Sequence, residues 1–203
     1  SGRVGWSLRS QLAPGTRCAL EHGGVAPVIV APDADLDMAV PILAKGGFYH
    51  AGQVCVSVQR VFIHADKFDQ VAEAMTEHAA KLLVGDPTND ETEVGPLIDH
   101  READRVGEWV DEAVSAGAGL ATGGERLSPS TYAPTVLLDP PAQTRIARQE
   151  VFGPVVALFK YEDLDEAVDR ANGLEFAFQA AVFTRNIDIA MKAYARLNAS
   201  AVM

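Results

Sequence analysis

The sequence predicts an α/β fold: a doubly wound, mostly parallel sheet with helices on both faces. Two observations carry this. Short runs rich in β-branched residues alternate along the chain with helical patterns of roughly ten to fifteen residues, the mark of repeated βαβ units. Two of the runs, Val155-Val-Ala-Leu-Phe-Lys160 and Ala180-Ala-Val-Phe-Thr184, are apolar without alternation, as strands covered on both faces are. No internal repeat, low-complexity tract or interdomain linker interrupts the pattern; the one boundary it offers lies near Glu21.

The elements follow in order. Val4, Leu8 and Leu12 recur at helical spacing over residues 3 to 12, and Pro14-Gly15 stops the run. Arg17 to Glu21 is short and largely apolar, predicting a strand that leads into Gly23-Gly24, and Val28 to Ala31 predicts a second. Apolar spacing of three and four returns from Leu36 to Phe48, with Asp35 placed as an N-cap. A strand is expected at Arg60–His64, a helix at Phe68–Leu83, and a second helix at Glu102–Ala116 closed by Gly117. Short strands follow at Gly119–Gly123 and around Thr131–Leu138. Val155–Lys160 and Ala180–Thr184 are the buried strands, Asp163–Asn172 and Ile187–Leu197 are helices, and Ala199–Met203 opens one more strand.

The 203 residues fit a single α/β domain, and 48% hydrophobic against 22% charged residues is globular rather than disordered usage. A net charge of −11 with scattered Lys and Arg argues against nucleic acid or anionic lipid as partners, because both are bound by neutralising phosphate. Two cysteines, Cys18 and Cys55, form neither a disulfide framework nor a zinc pattern, so reduced thiols, no metal and a cytoplasmic location are expected. No apolar run reaches the ~20 residues that span a bilayer. The first residues read like the inside of a domain, and both ends read as cuts.

Few residues have the chemistry of a site. Cys55, in Gly52-Gln-Val-Cys, falls between a helix and a strand, where catalytic groups are often displayed; a lone Cys is also common as inert packing. Glu21 precedes Gly23-Gly24, where backbone or ligand can approach closely, and it serves equally as an ordinary strand-end carboxylate. His50 and His64 are the other possible bases; His50, five residues before Cys55, more readily packs or lines the loop, while His64 reads as a strand-end surface residue. Glu150 precedes Phe152-Gly-Pro154: a carboxylate that could hold a ribose diol beside an aromatic that could support a flat ring, or a simple strand entry. The chain has no GxGxxG and no Walker loop.

Taken in order, Glu21-His-Gly-Gly-Val-Ala-Pro27, Asp33-Ala-Asp-Leu-Asp37, Gly52-Gln-Val-Cys55, Gly85-Asp-Pro87, Gly95-Pro-Leu-Ile98, Glu150-Val-Phe-Gly-Pro154 and Ala181-Val-Phe-Thr184 resemble the aldehyde dehydrogenase superfamily over essentially the whole chain. The step of 34 positions from Glu21 to Cys55 is similar to that family's spacing between its Glu-Leu-Gly-Gly and Gly-Gln-x-Cys segments. The resemblance implies the family's catalytic-domain fold and NAD(P)-dependent oxidation of an aldehyde to a carboxylic acid. Cys55 would be the nucleophile, passing through a thiohemiacetal and a thioester, and Glu21 would activate the hydrolytic water. The Cys55 N–H would supply half of an oxyanion hole. Glu150 and Phe152 would be the cofactor-binding residues, toward the nicotinamide ribose and ring respectively.

The resemblance also implies that residues 1–21 are the end of a cofactor-binding domain and residues 22–203 a C-terminally incomplete catalytic domain. The parent would be a homodimer or homotetramer binding NAD or NADP. The piece alone would bind cofactor weakly or not at all and be inactive. His22, Val25-Ala26 and His50 depart from the family's usual Leu, Lys-Ser and Asn, which bears on subfamily and substrate. A CoA-acylating or thioester-forming enzyme on the same scaffold, or a noncatalytic family member, are the alternatives.

Overall fold

The computed structural model describes residues 2–21, 23–174 and 177–203; Ser1 and His22, both used in the sequence reading, lie outside them. Helix α1 (Gly2–Arg9) buries none of its residues and ends a turn earlier than its apolar spacing predicts. The strand expected at Arg17–Glu21 does not form. Among the described residues no strand of the sheet runs beside this segment, and its residues stay largely exposed; without a partner ladder an apolar pentapeptide has no strand to join.

Strand β1 (Ala26–Val30) is buried along its whole length. Helix α2 (Leu36–Phe48) begins at Asp35, whose carboxylate accepts the Met38 N–H at 3.4 Å, and buries Val40, Leu43, Ala44 and Phe48. Strand β2 (Val58–His64) leads directly into α3 (Ala65–Lys81), capped by the His64 ring accepting the Asp66 N–H at 3.3 Å. After a turn-rich stretch, α4 (His100–Ser115) turns Ala103, Val106, Trp109, Val110 and Ala113 to the core.

Then come β3 (Gly119–Thr122), β4 (Arg126–Ser128), β5 (Thr131–Tyr132), β6 (Thr135–Leu138), the one-turn α5 (Arg145–Arg148), β7 (Val155–Tyr161) and α6 (Leu164–Asn172). The chain closes through β8 (Gln179–Phe183), α7 (Ile187–Arg196) and β9 (Ala201–Val202).

Among the described residues, seven strands form the main sheet in the order β3-β6-β7-β2-β1-β8-β9, with only the edge pair β3–β6 antiparallel. The steps β1-α2-β2 and β7-α6-β8 move in opposite directions across this order. Since such crossovers are right-handed, α2 and α6 cover opposite faces, which is the double winding that the sequence predicts. Ile29, Val30, Val61, Phe62, Ile63, Leu137 and Leu158 are fully buried between the layers, each contributing roughly 1.5–3 kcal/mol.

At the carboxyl edge, Tyr161 donates to the Val30 carbonyl at 3.2 Å and meets the His64 ring edge-on. Burial, reinforced by Asp33, pushes the Tyr161 phenol up to about 12. The residues with candidate chemistry are at the other edge.

Candidate active site

Glu21, Cys55 and Glu150 precede β1, β2 and β7, and these three strands are parallel neighbours in the order β7-β2-β1. All three side chains therefore belong to loops at the amino edge of the sheet. Open parallel sheets more often meet their ligands at the carboxyl edge. His64, at the carboxyl end of β2, is removed by the length of the strand from Cys55 and acts as a helix cap.

The Cys55 loop is built on an uncommon backbone. His50, Ala51 and Gly52 have φ of 50°, 54° and 70°, three left-handed residues in succession, two of which carry a Cβ and are held there at a cost of about 1 kcal/mol each. The surroundings that enforce this are identifiable. Gln53 anchors the loop to the Gly95–Ile98 segment: its amide nitrogen donates to the His50 and Pro96 carbonyls at 3.2 and 3.3 Å, and its oxygen accepts the Ile98 N–H at 2.8 Å. The Ser57 N–H donates to the Val54 carbonyl at 3.0 Å and closes a turn over Cys55 and Val56. The Ser57 hydroxyl lies 3.3 Å from the Gly46 carbonyl and 3.4 Å from that of Gly47, fixing the turn to the end of α2. Cys55 is exposed on this turn, and among the described residues no acceptor takes its N–H.

The second loop, residues 149–154, carries Glu150 and Phe152. Glu150 is half-buried, and its carboxylate accepts the Gly24 N–H at 3.1 Å, tying it to the loop that carries Glu21. A Cβ on Gly23 would lie 2.0 Å from the Glu150 carboxylate oxygen, so glycine at 23 makes room for that side chain. Burial pushes the Glu150 carboxyl up, opposed by the Gly24 hydrogen bond and by the charge of Arg105. Phe152 has φ of 49° and is 42% exposed, so its ring is presented at the surface rather than packed. Gly52 and Gly153 meet backbone to backbone, joining the Cys55 and Phe152 loops.

Two residues that the sequence reading passes over hold the second loop. Gln59 on β2 is 4% exposed; its amide nitrogen donates to the carbonyls of Ile146 and Gln149 at 3.0 and 2.8 Å, and its oxygen accepts the Val151 N–H at 2.8 Å. Arg105 donates to the Val151 carbonyl at 2.6 Å and lies over the Trp109 ring. A signal for Gln59 exists in the sequence: an uncharged amide inside Val58-Gln-Arg-Val-Phe-Ile63, where a buried strand has no other use for one. Arg105 gives none, being one of several polar positions on an amphipathic helix.

Glu21 and His50 are exposed, and Cys18 is exposed in the unpaired N-terminal segment. Among the described residues, no group of His, Cys, Asp and Glu could hold a metal ion, and no helix is long and apolar enough to cross a membrane.

The family model described as the aldehyde dehydrogenase family matches residues 1–203. The chain belongs to that family. A curated relative, the 3-sulfolactaldehyde dehydrogenase of Priestia megaterium, is 40% identical over 193 residues, covering 95% of this chain and 40% of the relative. The chain thus spans about two fifths of the length of the curated relatives it matches. Among solved structures, the glyceraldehyde-3-phosphate dehydrogenase of Methanocaldococcus jannaschii complexed with NADP superposes with a TM-score of 0.95 at 35% identity, over 100% of this chain and 44% of that one. The betaine aldehyde dehydrogenase of Staphylococcus aureus in complex with NAD+ gives 0.92 at 31% identity, over 98% of this chain and 41% of that one. The aldehyde dehydrogenase catalytic-domain fold expected from the sequence is the fold observed.

Proposed function

We propose that the protein carrying this chain oxidises an aldehyde to its carboxylic acid with NAD or NADP, using Cys55 as nucleophile and Glu21 as general base. The observation that supports this most is the convergence of three loops on one edge of the sheet: Glu150 is bound to Gly24 at 3.1 Å, and the backbones of Gly52 and Gly153 are in contact. The residues present fit the cofactor's nicotinamide end. Glu150 offers a preoriented carboxylate acceptor for a ribose diol, and Phe152 an exposed ring for a flat partner. When bound, the nicotinamide supplies a hydride acceptor.

The chain's own residues do the rest. The Cys55 sulfur adds to the aldehyde carbon, and the Cys55 N–H, free of other acceptors among the described residues, donates to the carbonyl oxygen as charge develops there. With the cofactor held by Glu150 and Phe152, the hydride of this thiohemiacetal would pass to the nicotinamide, leaving a thioester on Cys55. Glu21 takes a proton from water, the hydroxide adds to the thioester carbon, and the Cys55 thiolate departs with release of the acid. The turn through Val54–Ser57 and its anchor at Gln53 keep the sulfur exposed to the incoming carbonyl.

In this reading residues 1–21 belong to a cofactor-binding domain and residues 22–203 to the catalytic domain. The protein works in the cytoplasm as a homodimer or homotetramer. Val54 and Val56 give the carbonyl entrance a modestly apolar border.

The full-length Cys55→Ala protein should bind cofactor and turn over no aldehyde, and Glu21→Gln should accumulate an acylated Cys55 visible as added mass. Normal turnover by Cys55→Ala would overturn the mechanism. A thiol reagent near neutral pH should label Cys55 in preference to Cys18; equal labelling of the two would count against an activated thiol.

A further inference from the structure

We propose that Gln59 is a positioning residue for cofactor binding: its buried amide sets the place of Glu150 relative to Cys55 by fastening residues 146–151 to the strand that begins three residues after the nucleophile. The inference rests on the function proposed above. Residues 149–154 lie outside helix and strand, so their backbone polar groups must find partners elsewhere. One side chain meets two such needs of the segment, at Gln149 and Val151, and also takes the Ile146 carbonyl of α5. The Gln59 nitrogen donates to Ile146 and Gln149, the residue before Glu150, and its oxygen accepts from Val151, the residue after it. Glu150 is thus bracketed by bonds to a single amide.

The chemistry of that amide is specific. Two carbonyls require two N–H donors and one N–H requires an acceptor, at a position 4% exposed. Among side chains only a carboxamide offers two donors and an acceptor without charge. A carboxylate here could satisfy Val151 alone and would face two carbonyl oxygens with a buried negative charge. An aliphatic group would leave three backbone groups unpaired. Gln59 also sits on β2, paired with β7, so the bracket is referenced to the same strands that carry the Cys55 and Glu150 loops. Arg105 backs the loop through the Val151 carbonyl, which leaves the flanks of Glu150 to Gln59.

The test uses the full-length protein and reads cofactor binding by fluorescence titration, without turnover, from pH 5.5 to 8.5, beside wild type and Glu150→Gln. Gln59→Glu should weaken cofactor binding roughly tenfold at pH 8. Binding should recover toward wild type at pH 5.5, where the protonated acid again donates to one carbonyl while accepting from Val151. Cys55 alkylation rates should stay within about twofold of wild type. Gln59→Leu should weaken binding at every pH. A purely structural role would lower the melting temperature without this pH-dependent recovery.

If Gln59→Glu does not fold, Gln59→Asn decides, since it keeps the amide and shortens its reach by one carbon. Weaker binding by a folded Gln59→Asn supports the assignment, and unchanged binding overturns it. If Glu150→Gln weakens binding and folded Gln59→Glu matches wild type at all pH values, the positioning role fails and the reading of Glu150 stands. If Glu150→Gln itself leaves binding unchanged, the assignment of Glu150 fails and the inference falls with it.

Discussion

A Cβ on Gly52 would lie 2.0 Å from the carbonyl oxygen of Gly153, so the loops carrying Cys55 and Phe152 touch through bare backbone. Gly52 also has φ of 70°, which any other residue adopts at a cost. Gly52→Ala adds that cost to a collision with backbone rather than with a side chain that could swing away. The sum is about 3 kcal/mol. The expected outcome is a melting temperature lower by roughly 6–12 °C. A melting temperature within a degree of wild type would mean that the two loops do not meet as described.

Gly23 presents a different case, because its missing Cβ faces the Glu150 carboxylate, the far end of a flexible side chain. Gly23→Ala should therefore move Glu150 off its bond to the Gly24 N–H without unfolding the protein. In the full-length protein the dissociation constant for the cofactor should rise roughly tenfold, the effect of losing one well-placed charged acceptor. Calorimetric or fluorescence titration checks this. Retained affinity would separate the Glu150–Gly24 contact from cofactor binding.

The half-buried Glu150 has its carboxyl held above the ordinary value of 4.5, with burial as the largest cause. An acid raised in the folded state favours its protonated form there. Its contribution to stability is fully present below the unfolded value and is lost as pH rises through the folded one. Glu150→Gln removes that loss while keeping an oxygen to accept the Gly24 N–H. Relative to wild type, the variant should be of equal stability near pH 4 and gain as pH rises toward 7, read as the difference in melting temperature across that range. A difference that does not change with pH would contradict the assignment.

Much of the fold is legible because its signals are local. Asp35 before a 3.6-residue apolar period gives α2 with its observed bounds, and the unalternating run from Val155 gives a buried strand. Arg17–Glu21 misleads for the opposite reason: an apolar pentapeptide becomes a strand only where a partner lies beside it. β4, exposed and three residues long, and α5, a single turn after Pro140-Pro141, are too short to carry a period. At the site, Cys55, Glu21 and Glu150 stand out through their neighbours in sequence. The left-handed run through His50 and Ala51 does not, because nothing in those side chains asks for positive φ; Gln53 and the contact with Gly153 impose it from a distance.

Arg60 tests how the core of β2 balances a buried charge. The residue is 6% exposed, and among the described residues two of its guanidinium nitrogens, Nε and Nη1, have no hydrogen-bond partner. Burial and the neighbouring Arg170 bring its pKa down to about 10. A base lowered in this way is disfavoured in its charged form, so the fold bears a penalty of a few kcal/mol at neutral pH that is relieved only as pH rises past the folded value. Against it stand one bond to the Arg170 carbonyl at 2.8 Å and the faces of Phe62 and Phe159, whose ring centroids lie 4.9 and 5.8 Å away. These contacts contribute about 1 kcal/mol each, so the two sides nearly cancel. Arg60→Met keeps an unbranched apolar stem to about the position of Nε, gives up the guanidinium over the rings and carries no charge. Its stability at pH 7 should fall within about 1 kcal/mol of wild type or exceed it. A loss of roughly 3 kcal/mol or more in denaturant unfolding would show instead that the guanidinium holds α6 to the sheet.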